Sequence, residues 1–327
     1  MSVQSIVPKT LKEYSVVLVL LLAFIVSALL SDVFLKWTNL TNILRQLTPL
    51  ILVSIGMLTV VLTGGIDLSV GSTVAVASVT CAMLTTQTFV DMGNPGLILA
   101  ITISLLAGLF FGTITATLVA VFDIAPFVAS LAMMTIGRGL AYVITNGEPI
   151  RLDPKLPTNQ ALIDFGSNKI PGIEFPLPVL VAVVAVLLFW FIFQYTSYGR
   201  LTIATGSNEN AVKLSGISAA KYKFLAYQVS GLLCAIAGII IMARSGVAVP
   251  ATGVGLELDA LAACVIGGVS LSGGRGKIVN AVVGVLVLGL ISNIMNLMSV
   301  PVYPQQIIKG FIIIVAVLTS GTKKKES

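Results

Sequence analysis

The sequence predicts an all-α, polytopic membrane protein. Charged residues make up only 10% of its 327 residues, and hydrophobic residues make up 57%, whereas a soluble globular protein carries roughly a quarter charged residues. The apolar residues fall into about ten runs, most of them close to the 20 or so residues that a helix needs to cross a bilayer. We therefore expect about ten transmembrane helices in a single transmembrane domain over residues 1–327.

The positions of the apolar runs set the predicted spans. The first run follows Lys9 and Lys12 and is long for the core of a signal peptide, so we interpret it as a retained helix, with a cleaved signal peptide as the alternative. We expect some helices to be broken at glycine-rich turns, because residues 64–71 and 267–274 place glycine pairs beside polar residues. These two segments resemble each other, which indicates an internal repeat or a chance similarity. The spans cover about residues 14–30, 46–62, 73–85, 96–121, 124–144, 179–195, 224–243, 258–271, 278–298 and 305–319.

Basic residues are distributed unevenly between the two sets of loops that these spans create. Because cytoplasmic loops carry an excess of lysine and arginine, the bias predicts that both termini lie in the cytoplasm of a multi-pass inner-membrane protein. Residues 197–223 then lie inside and residues 145–178 outside. The inside set holds Lys9, Lys12, Arg200, Lys213, Lys221, Lys223, Arg275, Lys277, Lys323, Lys324 and Lys325, and the outside set holds Lys36, Arg45, Arg151, Lys155, Lys169 and Arg244.

The segment 197–223 has the composition of a water-soluble protein although long apolar runs lie on both sides of it. A short helix is predicted from Asn208 to Leu214, with Ser207 or Asn208 as its N-cap and Gly216 in a left-handed turn after its end. A membrane protein that exposes such a helix offers a docking surface to a partner. The alternative is a loop that only holds its helices in the right orientation.

Several polar residues lie in or beside the predicted spans. We interpret Asp67 as a cap of the third span, with a functional carboxylate at membrane depth as the alternative. Arg138 is expected to pair with a carboxylate, to extend towards the interface or to face a water-filled path. Asn293 and Asn296 share one helical face, where they would bond a neighbouring helix or a passing polyol. Together with Gln306, near the outer mouth, these residues form the candidate translocation pathway.

The sequence excludes several classes of function. It contains no histidine, and no zinc-binding, nucleophile-elbow or phosphate-binding motif is present; Gly276-Lys277 has neither the upstream glycine nor the downstream serine or threonine of a Walker loop. Cys81, Cys234 and Cys264 lie singly in apolar runs and are read as packing residues. We therefore predict no catalytic residue, no metal site and no cofactor. The net charge of +6 lies in loops, so we predict no nucleic-acid partner.

Four motifs in one order identify a family resemblance. They are TGGIDLSVGS at residues 63–72, TNGEP at 145–149, GSNENAVKLSGI at 206–217 and VIGGVSLSGGRGK at 265–277, with YPQQIIKG at 303–310 in addition. The chain resembles the membrane-spanning permease subunits of bacterial ABC sugar importers, of the ribose, xylose, galactose and autoinducer-2 group. The resemblance is strongest to the ribose type and spans nearly the whole chain.

This resemblance implies a set of partners. They are a second permease copy, as a homodimer or a heterodimer, two copies of an ATPase that binds ATP and magnesium, and a periplasmic or lipid-anchored sugar-binding protein. The segment 197–223 would contain a coupling helix that contacts the ATPase. The family pattern there is matched by Gly206, Asn208, Glu209, Ser215 and Gly216. The alternative function, an ion-coupled secondary transporter or channel, is disfavoured because intramembrane acids are few and histidine is absent.

Overall fold

The fold is a bundle of α-helices that run between two opposite ends. The computed structural model describes residues 15–170 and 174–321, and within these ranges it contains thirteen α-helices and four two-residue strands. The helices are α1 (Ser15–Leu30), α2 (Trp37–Leu62), α3 (Val70–Met83), α4 (Gly93–Ala120), α5 (Pro126–Thr145), α6 (Pro157–Ser167), α7 (Leu177–Tyr195), α8 (Ser197–Ser207), α9 (Glu209–Leu214), α10 (Ala219–Ser245), α11 (Leu256–Ile266), α12 (Ile278–Leu297) and α13 (Val302–Gly321). The strands are β1 (Ile150–Arg151), β2 (Lys169–Ile170), β3 (Phe175–Pro176) and β4 (Val247–Ala248).

Ten of these helices correspond one by one to the ten predicted spans. In the part of the chain that the structure describes, seven helices are long and apolar enough to cross a membrane: α2, α3 with the π-helical turn that continues it to Thr88, α4, α5, α7, α10 and α12. Shorter apolar segments lie in α1 and α13, and the tenth helix is α11. The all-α, polytopic fold class is confirmed. Lys9, Lys12 and the lysines at 323–325 lie outside the described residues, and the orientation stays a prediction.

Helix α10 forms the axis of the bundle. It has 27 residues, most of its central positions are buried, and it packs against α2, α3 and α4. Its contact with α4 is nearly backbone to backbone: a Cβ added at Gly112 would lie 2.5 Å from the Tyr227 carbonyl oxygen, and one added at Gly231 would overlap the Gly108 carbonyl. Gly108 and Gly112 therefore allow the close approach of α4 to α10.

The two predicted helix breaks are present, and they meet each other. One separates α2 from α3, and the other separates α11 from α12. The backbone N–H of Gly274 donates to the carbonyl of Leu62, where α2 ends, at 3.0 Å. A Cβ added at Gly273 would lie 2.9 Å from the Cα of Gly64, and both residues have positive φ angles. Glycine is required at this meeting point because two main chains approach closely in left-handed conformations.

Helix α11 is a half-helix that begins inside the bundle. Its 11 residues span only about 16 Å. The segment before it is held by Arg138, whose Nη1 donates to the carbonyls of Pro250 at 2.6 Å and Thr252 at 2.7 Å. Since Arg138 lies seven residues before the end of α5, the contact is about 10 Å below that end. The predicted eighth span, 258–271, was too long at its C-terminal end. Glycines 267 and 268 end the helix at Ile266.

The end of the bundle that carries residues 145–178 contains small elements. Strand β1 pairs antiparallel with β4, with Ile150 opposite Ala248, and β2 pairs with β3. Helix α6 lies between β1 and β2 in sequence. We call this end the hairpin end and the opposite one, where α8, α9 and the start of α10 lie, the short-helix end.

Replacing Gly231 by alanine is expected to destabilise the bundle, because the added Cβ would overlap the Gly108 carbonyl and lie 2.9 Å from Gly112 Cα. Overpacking of this kind costs about 1–3 kcal/mol. The measurement is the midpoint of thermal unfolding in detergent. The control is Gly139→Ala, whose added methyl group meets nothing within 4 Å. Equal midpoints for the two variants would contradict the close packing of α4 on α10.

Candidate functional site

The short helix α9 is built by local rules that act on a few residues. The Oδ1 atom of Asn208 accepts a hydrogen bond from the N–H of Ala211 at 2.9 Å, so Asn208 is the N-cap. Gly216 follows the helix with a φ of +77°. The hydroxyl of Ser215 donates back to the carbonyl of Ala211 at 2.9 Å. The prediction of a short, capped helix at this position is confirmed.

Glu209 connects α9 to α10 through two lysines. Its carboxylate lies 2.7 Å from Nζ of Lys223 and 2.9 Å from Nζ of Lys213. The hydrogen bond from Lys223 lowers the pKa of the Glu209 carboxyl, partial burial opposes this, and the hydrogen bond from Lys213 adds to the lowering. Pairing with Glu209 in turn raises the pKa of Lys213. The carboxylate is therefore held in its charged form and fixes α9 against the first turns of α10.

The residues just before α9 touch the helix breaks described above. A Cβ added at Gly206 would overlap the carbonyl oxygen of Leu62 and lie 2.7 Å from the N atom of Gly274. The hydroxyl of Ser207 donates to the Gly274 carbonyl at 3.3 Å. We call the meeting of Leu62, Gly206 and the turn at 273–274 the glycine junction. The glycine junction thus places the end of α8, just before α9, in direct contact with the end of α2 and with the turn that follows α11.

A cavity of about 300 Å³ lies beside the glycine junction. Its lining includes Glu209 and Lys223 from the short-helix end, Gly64 and Gly65 from the break between α2 and α3, and the buried Tyr227 of α10. The Tyr227 hydroxyl donates to the carbonyl of Ile66 at 3.3 Å. The cavity therefore lies between the short-helix end and the break between α2 and α3.

Asp67 is a buried carboxylate with several hydrogen bonds. It is only 2% exposed. Its Oδ1 accepts from the N–H of Ser69 at 3.0 Å and from the Ser69 hydroxyl at 2.6 Å, just before α3 begins. Its Oδ2 accepts from the hydroxyl of Ser230 on α10 at 2.8 Å. Ser69 is the N-cap of α3 and no side chain caps this helix, so the interpretation of Asp67 as the cap is wrong; the carboxylate instead holds the segment before α3 and joins it to α10.

The other residues of the candidate pathway are placed apart from one another. Arg138 bonds main-chain carbonyls rather than a carboxylate. Asn293 and Asn39 exchange amide hydrogen bonds of 3.0 and 3.2 Å between α12 and α2. Asn296 accepts from Gln305 at 2.8 Å across the turn to α13, and Gln306 is exposed. The amide contacts fit the interpretation that these residues join helices, and the structure does not bring the five together.

The structure reveals a second polar cavity that the sequence did not indicate. Its volume is about 310 Å³, and it lies between α2, α10, α11, α12 and α13. Asp259 of α11 and Lys309 of α13 form an ion pair of 3.0 Å in its wall. In the sequence, this pair is visible only as an acid in the first turn of the short eighth span and a lysine in the tenth span. Because the two residues are 50 positions apart, no spacing rule connects them.

Comparison with known proteins identifies the family. Residues 39–317 match the family described as branched-chain amino acid transport system / permease component. The chain belongs to this family. It is 40% identical over 304 residues to the ribose import permease protein RbsC of Bacillus subtilis, an alignment that covers 93% of this chain and 91% of that protein.

Two further relatives extend the comparison. The ribose import permease protein RbsC of Escherichia coli K12 is 39% identical over 315 residues, or 96% of this chain and 95% of that protein. The L-arabinose transport system permease protein AraH of the same strain is 33% identical over 313 residues, or 96% and 92%. No solved structure matches the chain significantly. The chain is thus a multi-pass inner-membrane permease, a transport component rather than an enzyme.

Acidification is expected to loosen α9. Because the folded-state pKa of Glu209 is lowered, its ion pairs are fully present above the usual carboxyl pKa of about 4.3 and are lost as the pH falls through the lower folded-state value. The Glu209–Lys223 pair, which is partly buried, contributes less than about 1 kcal/mol. Hydrogen exchange of the α9 amides, corrected for intrinsic rates, measures the loss. Glu209→Gln should abolish this pH dependence, and an unchanged profile in that variant would refute the assignment.

Proposed function

We propose that this chain is the permease subunit of an ATP-driven importer that passes ribose or a similar pentose across the inner membrane. The observation that carries the proposal is the 38–40% identity to ribose import permeases of three species over 93–96% of the chain. The arabinose permease at 33% identity supports the same class of substrate, a monosaccharide. We assign the chain as a single transmembrane domain over residues 1–327.

The energy source lies on a partner. This sequence contains no Walker motif, so the proposal places ATP and magnesium on an ABC ATPase subunit. We assign the contact with the ATPase to residues 197–223, with Gly206, Asn208, Glu209, Ser215 and Gly216 shaping and holding the helix that docks. Support comes from the exposure of most of α9 and from the glycine junction, which connects this segment to the broken helices.

The sugar arrives at the hairpin end. Two loops, residues 145–178 and residues 244–257, would receive the periplasmic or lipid-anchored binding protein. Their placement supports a single docking surface, because β1 from the first loop pairs with β4 from the second. This assignment requires the orientation that the distribution of basic residues predicts, with the short-helix end in the cytoplasm.

The permease works as a pair in this proposal. A second copy of this chain, or a related permease, forms the pair that releases the sugar inward, and the remaining apolar surface contacts membrane lipid. ATP binding closes the two ATPases and moves α9. The glycine junction passes this movement to α2 and α11, so that the pathway opens alternately to each side.

The first experiment measures sugar uptake into vesicles that contain this chain, its ATPase and its binding protein, with each component omitted in turn. Uptake of ribose or another pentose that needs all three and ATP is the expected result. Uptake by the chain alone along an ion gradient would replace the proposal with the ion-coupled secondary transporter or channel.

Glu209→Gln and Gly216→Ala are expected to uncouple the importer. Both changes disturb α9 where the proposal places the ATPase contact, so the sugar transported per ATP hydrolysed should fall severalfold while membrane insertion is preserved. Gly93→Ala is a matched control, because Gly93 also has a positive φ and open space around it, but it lies at the start of α4, outside residues 197–223 and outside both loops assigned to the binding protein. A normal ratio in both test variants would refute the docking assignment.

A further inference from the structure

The polar cavity of about 310 Å³ contains an ion pair that joins two membrane helices. Asp259 and Lys309 have side-chain exposures of 30% and 27%, so each is partly accessible from the cavity. The other ion pairs among the described residues lie in the hairpin at 169–174 or involve Glu209 at the short-helix end. Asp259–Lys309 is therefore the described ion pair that links helices within the bundle, away from both ends.

The ion pair lies within the thickness of the membrane. Asp259 is in the first turn of α11, which begins about 10 Å below the hairpin end of α5. Lys309 is the eighth residue of α13, about 10 Å from its first residue. Charged groups at this depth are costly unless they pair or face water. Asp259 and Lys309 are paired with each other and also line the cavity. A charged pair in such a place is a candidate for a functional role in addition to holding helices together.

The lining of the cavity suits a polyol. Besides the ion pair, it presents the side chains of Gln46, Arg244 and Ser292, which supply an amide, a guanidinium group and a hydroxyl. Together these groups offer hydrogen-bond donors and acceptors close to each other, as adjacent sugar hydroxyls require. Apolar side chains such as Leu47 and Leu288 complete the wall, and they suit the C–H faces of a sugar ring.

The ion pair is also placed so that it can open. Asp259 lies on a half-helix that ends at the glycine junction through the turn at 267–277, whereas Lys309 lies on the separate helix α13. A displacement of α11 relative to α13 separates the two charges. Groups on a discontinuous helix next to a cavity are well suited to bind a solute in one state and release it in another.

We propose that this cavity is the passage site for the monosaccharide and that the Asp259–Lys309 pair is its gate. When α11 moves away from α13, hydroxyl groups of the sugar take over the hydrogen bonds that the carboxylate and the ammonium group make to each other. This inference rests on the proposed function and names the residues of this chain that contact the substrate. No bond is made or broken, and no cofactor takes part.

The test uses the complete importer in vesicles, with the variants Asp259→Asn, Lys309→Gln and the charge exchange Asp259→Lys/Lys309→Asp. Each single variant should lower the initial rate of ribose uptake at least tenfold. The charge exchange should recover thermal stability but not uptake, because the two charges then face the sugar from the wrong helices. The control is Lys36→Gln, which removes an exposed lysine at the same end and should leave uptake within twofold of wild type.

A second measurement tests water access directly. The three native cysteines are buried, so Ser292→Cys provides a single reactive position in the cavity. A membrane-impermeant thiol reagent should modify it and block uptake, while the wild-type chain remains unmodified. The absence of modification in both the resting and the ATP-driven importer would overturn the proposal.

The outcomes distinguish a failure of the proposed function from a failure of the proposed gate. If the wild-type chain shows no uptake that depends on ATP, its ATPase and its binding protein, the proposed function fails. If the wild type transports and the single variants transport equally well, only the gate is refuted. Full recovery of uptake by the charge exchange would show that the pair has a structural role alone, which also refutes it.

Discussion

The constraint that shapes this protein is that main-chain N–H and C=O groups inside a membrane need partners within the chain. Long helices satisfy these groups through their own main-chain hydrogen bonds. At the two interruptions described next, groups from neighbouring helices donate hydrogen bonds to main-chain carbonyls. Tyr227 and Ser130 donate to the carbonyl of Ile66 in the first break. Arg138 donates to the carbonyls of the segment that precedes α11. The broken segments are thus surrounded by protein, which allows irregular backbone to exist deep in the bundle.

Close contacts between main chains follow from this constraint. Without side chains, glycines let α4 approach α10, and they let the two breaks and the end of α8 meet at the glycine junction. Such contacts leave little freedom for gradual deformation, and the proposed coupling of α9 to the connected helix ends relies on this rigidity. The arrangement joins a water-exposed helix to the membrane interior without a long chain of side-chain contacts.

Much of the fold was predictable because its determinants are local. Apolar run length located the ten helices that correspond to the predicted spans, seven of which, among the described residues, are long and apolar enough to cross a membrane. Asn208 and Gly216 indicated the bounds of α9 through capping rules that act over a few residues. The contacts that shape the interior depend on distant partners: Asn39 with Asn293, Asp67 with Ser230 and Asp259 with Lys309. No spacing rule connects such pairs. The depth at which α11 begins was missed for the same reason, since it depends on Arg138, 112 residues before Pro250.

The main-chain character of the glycine junction has an evolutionary consequence. Since the junction is formed mainly by backbone atoms of Leu62, Gly206 and Gly274, it places almost no demand on the side chains of α9 that point into solvent. Under the proposed docking, a substitution among those side chains would change which partner surface fits α9 and would leave the backbone contacts behind it unchanged. Recognition of a partner and the connection to the membrane helices would then depend on separate residues.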